Sequence, residues 1–266
     1  MQTFLYVVSG LAAGIFSGGF GVGGALLATP LIRLLGTSPY IAVGTTVPAI
    51  LPSTITGAWT YYKAGLVDRR AALWIAAGGT VAAFAGAKST RLFDGHVLML
   101  ATAGLLFVLA IRLIPDPPID PGGSAASGAQ EPKRERASAP PGPPVGALLA
   151  LGAISGFFSG LLGIGGGFMM VPVMIRFLRF EVKVALGTSL MVISVTVIPN
   201  IIGHTLDGNI DWRKALLLAV GVIPGARLGA TLAIKAKERS LRRTLAGVLA
   251  IVAIAYAAFE VIALSS

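Results

Sequence analysis

The sequence predicts an all-α polytopic membrane protein made of two tandem copies of one helical unit. Three observations predict it: a composition too apolar for water, apolar runs of bilayer-crossing length, and a match between the two halves of the chain. Of the 266 residues, 55% are hydrophobic and 12% charged, where a soluble domain carries roughly 25% charged residues. Mean hydropathy is +0.83. Lipid offers backbone polar groups no partner, so long apolar runs that do not alternate must be helices.

Runs near the roughly 20 residues that cross a bilayer are Leu5 to Leu35, Ile41 to Tyr62, Ala71 to Ala87, Val97 to Ile114, Val145 to Leu178, Val184 to Ile202, Ala215 to Ile234 and Leu241 to Leu264. This gives about eight hydrophobic helical segments. The first run of each half is too long for one straight span and is interrupted by glycines. Each half therefore starts with a Gly-broken helix or a re-entrant hairpin. Met1 to Tyr6 has no positive n-region and its apolar segment reappears later, so a cleaved signal peptide is not expected. The net charge of +10 lies mostly in short loops between runs. That pattern fits the positive-inside rule and does not call for nucleic acid. The chain has no cysteine, which excludes disulfides, thiolate metal sites and sulfur relay through a thiol.

The halves match at an offset of about 142 to 143 residues. Gly14-Ile-Phe-Ser-Gly-Gly-Phe-Gly-Val-Gly-Gly24 aligns with Gly156-Phe-Phe-Ser-Gly-Leu-Leu-Gly-Ile-Gly-Gly166, Pro30 with Pro172, and Gly44-Thr45-Thr46 with Gly187-Thr188-Ser189. Gly65, Asp68 and Arg70 align with Gly208, Asp211 and Arg213, and Gly78 and Gly86 with Gly221 and Gly229. Residues 1–114 form the first membrane repeat and 145–266 the second. Between them, 115–144 is a Pro/Gly/Ser-rich segment that reads as a flexible linker. If every run crosses, Lys and Arg divide eleven against nine between the two faces. If the first run of each half turns back at its glycines, the copies are inverted and the division is five against fifteen, the bias of a cytoplasmic face. The inverted arrangement is favoured, and inverted repeats meeting at broken helices are a common plan of secondary transporters.

Candidate binding residues follow from the breaks. Gly19, Gly21, Gly23 and Gly24 in one copy, with Gly163, Gly165 and Gly166 in the other, let the backbone turn its N–H groups inward ahead of a helix N-terminus. Such a pair can hold an anion without formal charge. The alternative is close helix packing. Gly19, Gly21 and Gly24 also fit G-x-G-x-x-G, but no soluble strand precedes them and Phe168 stands where the second copy needs its third glycine, so a dinucleotide site is rejected. Arg227, a formal charge deep in an apolar run, should face a cavity or partner as counter-ion or structural pair. Gly221-x-x-x-Gly225-x-x-x-Gly229 around it reads as a packing stripe. Thr45, Thr46, Thr188 and Ser189 offer hydroxyls to an anion or bond back to their own helix. Asn200 and His204 lie one turn apart. They line a path, with His204 coupling protons, or His204 is a satisfied interfacial residue. Trp59, Tyr61, Tyr62 and Trp212 read as interfacial anchors, and Asp68, Asp207 and Asp211 as loop or helix-end residues. Ser17 and Ser159 superficially suggest an intramembrane hydrolase, but the serine is duplicated and no base is duplicated with it.

The paired Gly-Phe-x-Gly-x-Gly-Gly and Gly-x-Gly-Gly-Gly segments, the Gly-Thr-Thr and Gly-Thr-Ser motifs and the Gly-x-x-Asp/Asp-Trp-Arg loops resemble the sulfite exporter TauE/SafE family over essentially the whole chain except the linker. The resemblance implies a multi-pass transporter of a small sulfur-containing anion such as sulfite, thiosulfate or an organosulfonate, in the bacterial inner membrane. A passive anion channel is the alternative, and a hydrolase using Ser159 a more remote one. No enzyme activity, cofactor or metal is expected. The expected partners are the anionic substrate and membrane lipid, with a homo-oligomer left open. Phe20 against Leu162, and Arg227 against Phe84, depart from strict duplication, so the exact anion is not fixed by the motifs.

Overall fold

The computed structural model describes residues 2–92, 100, 101, 103, 104, 107, 108, 111, 143–162 and 165–265. Most of the run Val97 to Ile114, nearly all of the linker, and Gly163 lie outside them. Every regular element among the described residues is helical. The order is α1 Gln2–Phe20, α2 Ala25–Leu34, α3 Pro39–Lys63, α4 Arg69–Ser89 with a short 3-10 turn Thr90–Leu92, α5 Val145–Leu162, α6 Gly167–Arg176, α7 Val182–Leu206, α8 Trp212–Lys235 and α9 Glu238–Ser265. Six of these, α1, α3, α4, α5, α7 and α8, are long and apolar enough to cross a membrane. The two overlong runs are each split by their glycines into a long helix and a short one. At 10 residues, α2 and α6 rise only about 15 Å, half of a hydrocarbon core.

The direction of each helix follows from what its residues meet. A methyl group on Gly10, Gly14 or Gly18 of α1 would lie 2.3, 2.4 or 2.0 Å from the carbonyl oxygens of Leu218, Val222 and Ala226, so α1 and α8 run parallel. Reciprocally, Gly221, Gly225 and Gly229 press on Val7, Leu11 and Ile15 at 2.1, 2.4 and 2.0 Å. The second contact of this kind joins α5 to α4: Gly152, Gly156 and Gly160 meet Ile75, Gly79 and Ala83 at 2.0, 2.4 and 2.1 Å. Backbones this close leave room only for hydrogen at these positions, which is how small residues bring membrane helices together. The first helix of each copy is thus packed on the Asp-capped helix of the other, α1 on α8 and α5 on α4.

Contacts with α3 and α7 complete the frame. Gly44 of α3 meets Asn209, just past α7, while Gly57 meets Leu190 of α7, and Gly187 meets Tyr61, so α3 and α7 run oppositely. Gly79 meets Thr196 and Gly203 meets Ala87, so α4 runs with α7. Within each copy the short helix doubles back: Gly24 stands against Ala13, Ile32 clusters with Tyr6, and Met170 and Met174 cluster with Leu148 and Leu151. Hence α1, α3 and α8 point one way and α4, α5 and α7 the other, with α2 and α6 opposed to each other.

Side chains at the helix ends hold this arrangement. Asp68 caps α4 by accepting from Ala71 N–H at 2.9 Å, and Asp211 caps α8 from Lys214 N–H at 3.1 Å, which agrees with their expected helix-end places. Burial acts upward on the Asp211 carboxyl, but the Lys214 N–H and ammonium outweigh it and hold it below the ordinary aspartate value. Trp59 stacks on Tyr62 with Lys63 over the indole and Arg69 over the phenol, an aromatic and cationic cluster at the end of α3. Tyr61 corrects the expectation of an anchor: it is fully buried, because the helix places it one residue before Tyr62, on the inward side.

Candidate functional site

The two glycine breaks meet each other. Past the end of α1, Gly21 and Gly23 take φ of +66° and +79°, and ahead of α6, Gly165 and Gly166 take +92° and +58°, a region L side chains rarely enter. A methyl on Gly167 would stand 2.3 Å from the Gly21 carbonyl oxygen, and one on Gly165 would stand 3.6 Å from Gly23 Cα. Backbone therefore touches backbone, and the N-terminal ends of α2 and α6 lie at one junction with their helices leading away in opposite directions. Gly19, Gly21, Gly23, Gly24, Gly165 and Gly166 are all buried. Gly19 faces Gly229 at a looser 3.7 Å, so it belongs to the α1–α8 contact as much as to the junction.

One face of α3 and the equivalent face of α7 border this junction. On α3 the face carries Thr46, Ile50, Ser53, Gly57 and Tyr61; on α7 it carries Ser189, Ile193, Thr196, Asn200 and His204. Spacings of four, three, four and four residues keep each set on one stripe. Ile50 reaches within 3.3 Å of the Gly165 methyl position and Ile193 within 2.7 Å of that of Gly167. Ser189 Oγ donates to the Gly21 carbonyl at 2.7 Å or to Leu186 O at 2.8 Å. Thr46 bonds back to Ala42 and Val43 and pairs with Thr29 at 3.1 Å.

Below the isoleucines the copies diverge. Asn200 Nδ2 donates to Ser159 Oγ at 3.2 Å, and Ser159 in turn lies against Gly166. The first copy has Gly57 where the second has Asn200, so Ser17, the counterpart of Ser159, is left buried with no partner. Tyr61 donates its hydroxyl to the Gly18 carbonyl at 3.2 Å, and His204 stands in the equivalent place against Gly160. Buried polar atoms with no hydrogen bond include Ser17 Oγ, Ser53 Oγ, Asn200 Oδ1, His204 Nε2 and Asn209 Oδ1. An unpaired buried group of this kind costs about 1–3 kcal/mol.

The remaining candidates fall elsewhere. Thr45 Oγ1 accepts from Asp211 N–H and Thr188 Oγ1 accepts from Asp68 N–H, both at 2.9 Å. These are reciprocal ties between copies, at opposite ends of the bundle. Arg227 lies on an exposed face of α8 beside Leu228, away from the junction and not in the enclosed place the expectation gave it. Its angular position explains this: two residues past Gly225, it points about 200° away from the packed glycine stripe. Ser53 and Asn209 were not singled out in the sequence. Ser53 was legible as the residue seven after Thr46 on the same helical face; Asn209 sits in a loop, where no periodicity places it. Ser159 meets a carboxamide, which cannot serve as a general base.

A family model for the sulfite exporter TauE/SafE matches residues 6–256. The chain belongs to the sulfite exporter TauE/SafE family. Among similar proteins is the probable membrane transporter protein YunE of Bacillus subtilis, 27% identical over 257 residues that cover 91% of this chain and 92% of YunE. Two probable membrane transporter proteins of Xylella fastidiosa are 30% identical over 234 residues (85% of this chain, 82% of the relative) and 31% identical over 257 residues (92% and 91%). No solved structure matches. This member of the TauE/SafE family is thus a multi-pass membrane transporter, and its relatives carry names that specify no substrate.

Proposed function

We propose that the chain is a secondary transporter of a small sulfur-containing anion, sulfite, thiosulfate or an organosulfonate, desolvated near mid-depth where the two glycine breaks meet. The single observation that supports this most is the meeting of the breaks: two helix N-termini, each with the positive end of its dipole, converge beside buried polar atoms that lack partners. The set contains no formal charge of its own, which suits an anion that must also leave. The working site is asymmetric, with Asn200, Ser159 and Ser53 supplying side-chain contacts and the glycine N–H groups the rest. The copies lie inverted in the membrane, as the opposed helix directions support, and the face rich in Lys and Arg is cytoplasmic. The bacterial inner membrane is the location.

The test is flux in liposomes containing purified protein. Radiolabelled sulfite, thiosulfate and a short sulfonate are offered from either side, with excess unlabelled anion on the other. A carrier gives saturable uptake accelerated by the trans anion. Conduction without saturation or counterflow would replace the carrier with a passive channel, and exclusion of all three anions would refute the substrate class.

A further inference from the structure

We propose that Asn209 is a positioning residue that holds His204 as a neutral imidazole with its proton on Nε2, so that His204 serves the second glycine break as a hydrogen-bond donor and not as a proton relay. The proposal rests on the transport function above, and its partner is the same anion.

Asn209 is fully buried, and its Nδ2 lies 3.4 Å from the Tyr40 carbonyl and 3.0 Å from His204 Nδ1. A carbonyl only accepts, so the atom of the amide that faces Tyr40 is the NH2 group; this network fixes the orientation of the side chain. Nδ1 of His204 must then accept, and a neutral imidazole that accepts at Nδ1 carries its proton at Nε2.

The other copy gives an independent indication. Tyr61 occupies the position of His204 and donates to the carbonyl of Gly18, the counterpart of Gly160, whose carbonyl acts on the His204 ring. Both side chains present a donor to the last turn of a broken helix. The tyrosine hydroxyl makes its bond, whereas His204 Nε2 is buried and meets no acceptor at normal hydrogen-bond geometry. It lies one turn from Asn200 on the same face. The charged groups acting on it are Asp207 at the end of its own helix and Lys88 of α4, which are paired at 2.8 Å and oppose each other. Leu66 stands where the second copy has Asn209, so only the second copy can set a tautomer.

The chain has two histidines, so nitrogen NMR of isotope-labelled histidine in the full-length protein, assigned with His96→Gln, reads His204 directly. At neutral pH the wild type is expected to show Nε2 protonated and Nδ1 bare, and Asn209→Asp to show Nδ1 protonated. In liposomes His204→Gln, which keeps an N–H near the Nε2 position, is expected to hold the anion KM within about threefold, while His204→Phe raises it about tenfold or more. An imidazolium or an Nδ1-protonated tautomer in the wild type overturns the proposal. So does a Gln variant as impaired as the Phe variant. If wild-type liposomes carry no anion, the transport function fails, and the NMR still decides the tautomer.

Discussion

Asn200 and Gly57 occupy equivalent places, and that one difference decides whether a buried serine has a partner. Replacing Asn200 by glycine would make the second copy like the first and strand Ser159, for a loss of about 1–3 kcal/mol of stability and a weaker anion KM. Thermal unfolding in detergent, together with flux, checks both. The reverse change, Gly57→Asn, is expected to destabilise without creating a second site, because Leu190 already stands 2.8 Å from the first added atom. Arg227 gives the contrary case. Its outward face predicts that Arg227→Gln leaves the anion KM unchanged within about twofold; a rise of tenfold would bring the guanidinium back to the binding site. The sequence shows a charge within an apolar run, but the direction that charge faces is decided by which stripe of α8 finds a partner.

At the scale of elements, the glycine stripes of α1 with α8 and of α4 with α5 fix helix spacing. Gly14→Val or Gly225→Val would force two carbonyl-lined backbones apart, with a cost of roughly 1–3 kcal/mol or more from overpacking. The expected result is a lower unfolding temperature and loss of flux for either variant, since each residue presses on the same contact from its own side. A wild-type unfolding temperature in both would show that the stripes do not set the packing. The ties from Thr45 to Asp211 and from Thr188 to Asp68 sit at opposite ends of the bundle, so Thr45→Val and Thr188→Val are expected to bias flux in opposite directions. Much at this scale is legible in the sequence, because Gly at every fourth residue marks a contact face and the repeat marks which helices are equivalent. What was not legible is the exchange of partners between copies. A small-residue stripe states that something comes close without naming what.

For the whole molecule, the opposed helix directions and the distribution of Lys and Arg support the proposal that the two copies lie upside down relative to each other. The chain lacks cysteine, so a single one added by Ser38→Cys or Ala236→Cys can be labelled with a membrane-impermeant reagent in intact cells. The first, at an exposed position, is expected to react from outside and the second only after the membrane is opened; reaction of both from the same side would exclude inversion. The glycine breaks and their duplication could be seen in the chain before its fold, since overlong apolar runs interrupted by glycines cannot be straight helices. Their contact with each other could not be seen, since it follows from the cross-packing of α1 on α8 and α5 on α4. The most direct check of anion binding at that junction is counterflow of radiolabelled sulfite in liposomes holding either wild-type protein or Asn200→Ala. Saturable counterflow whose KM rises about tenfold in the variant is the expected result. Unaltered saturation in a correctly folded variant, or its absence in the wild type, would contradict it.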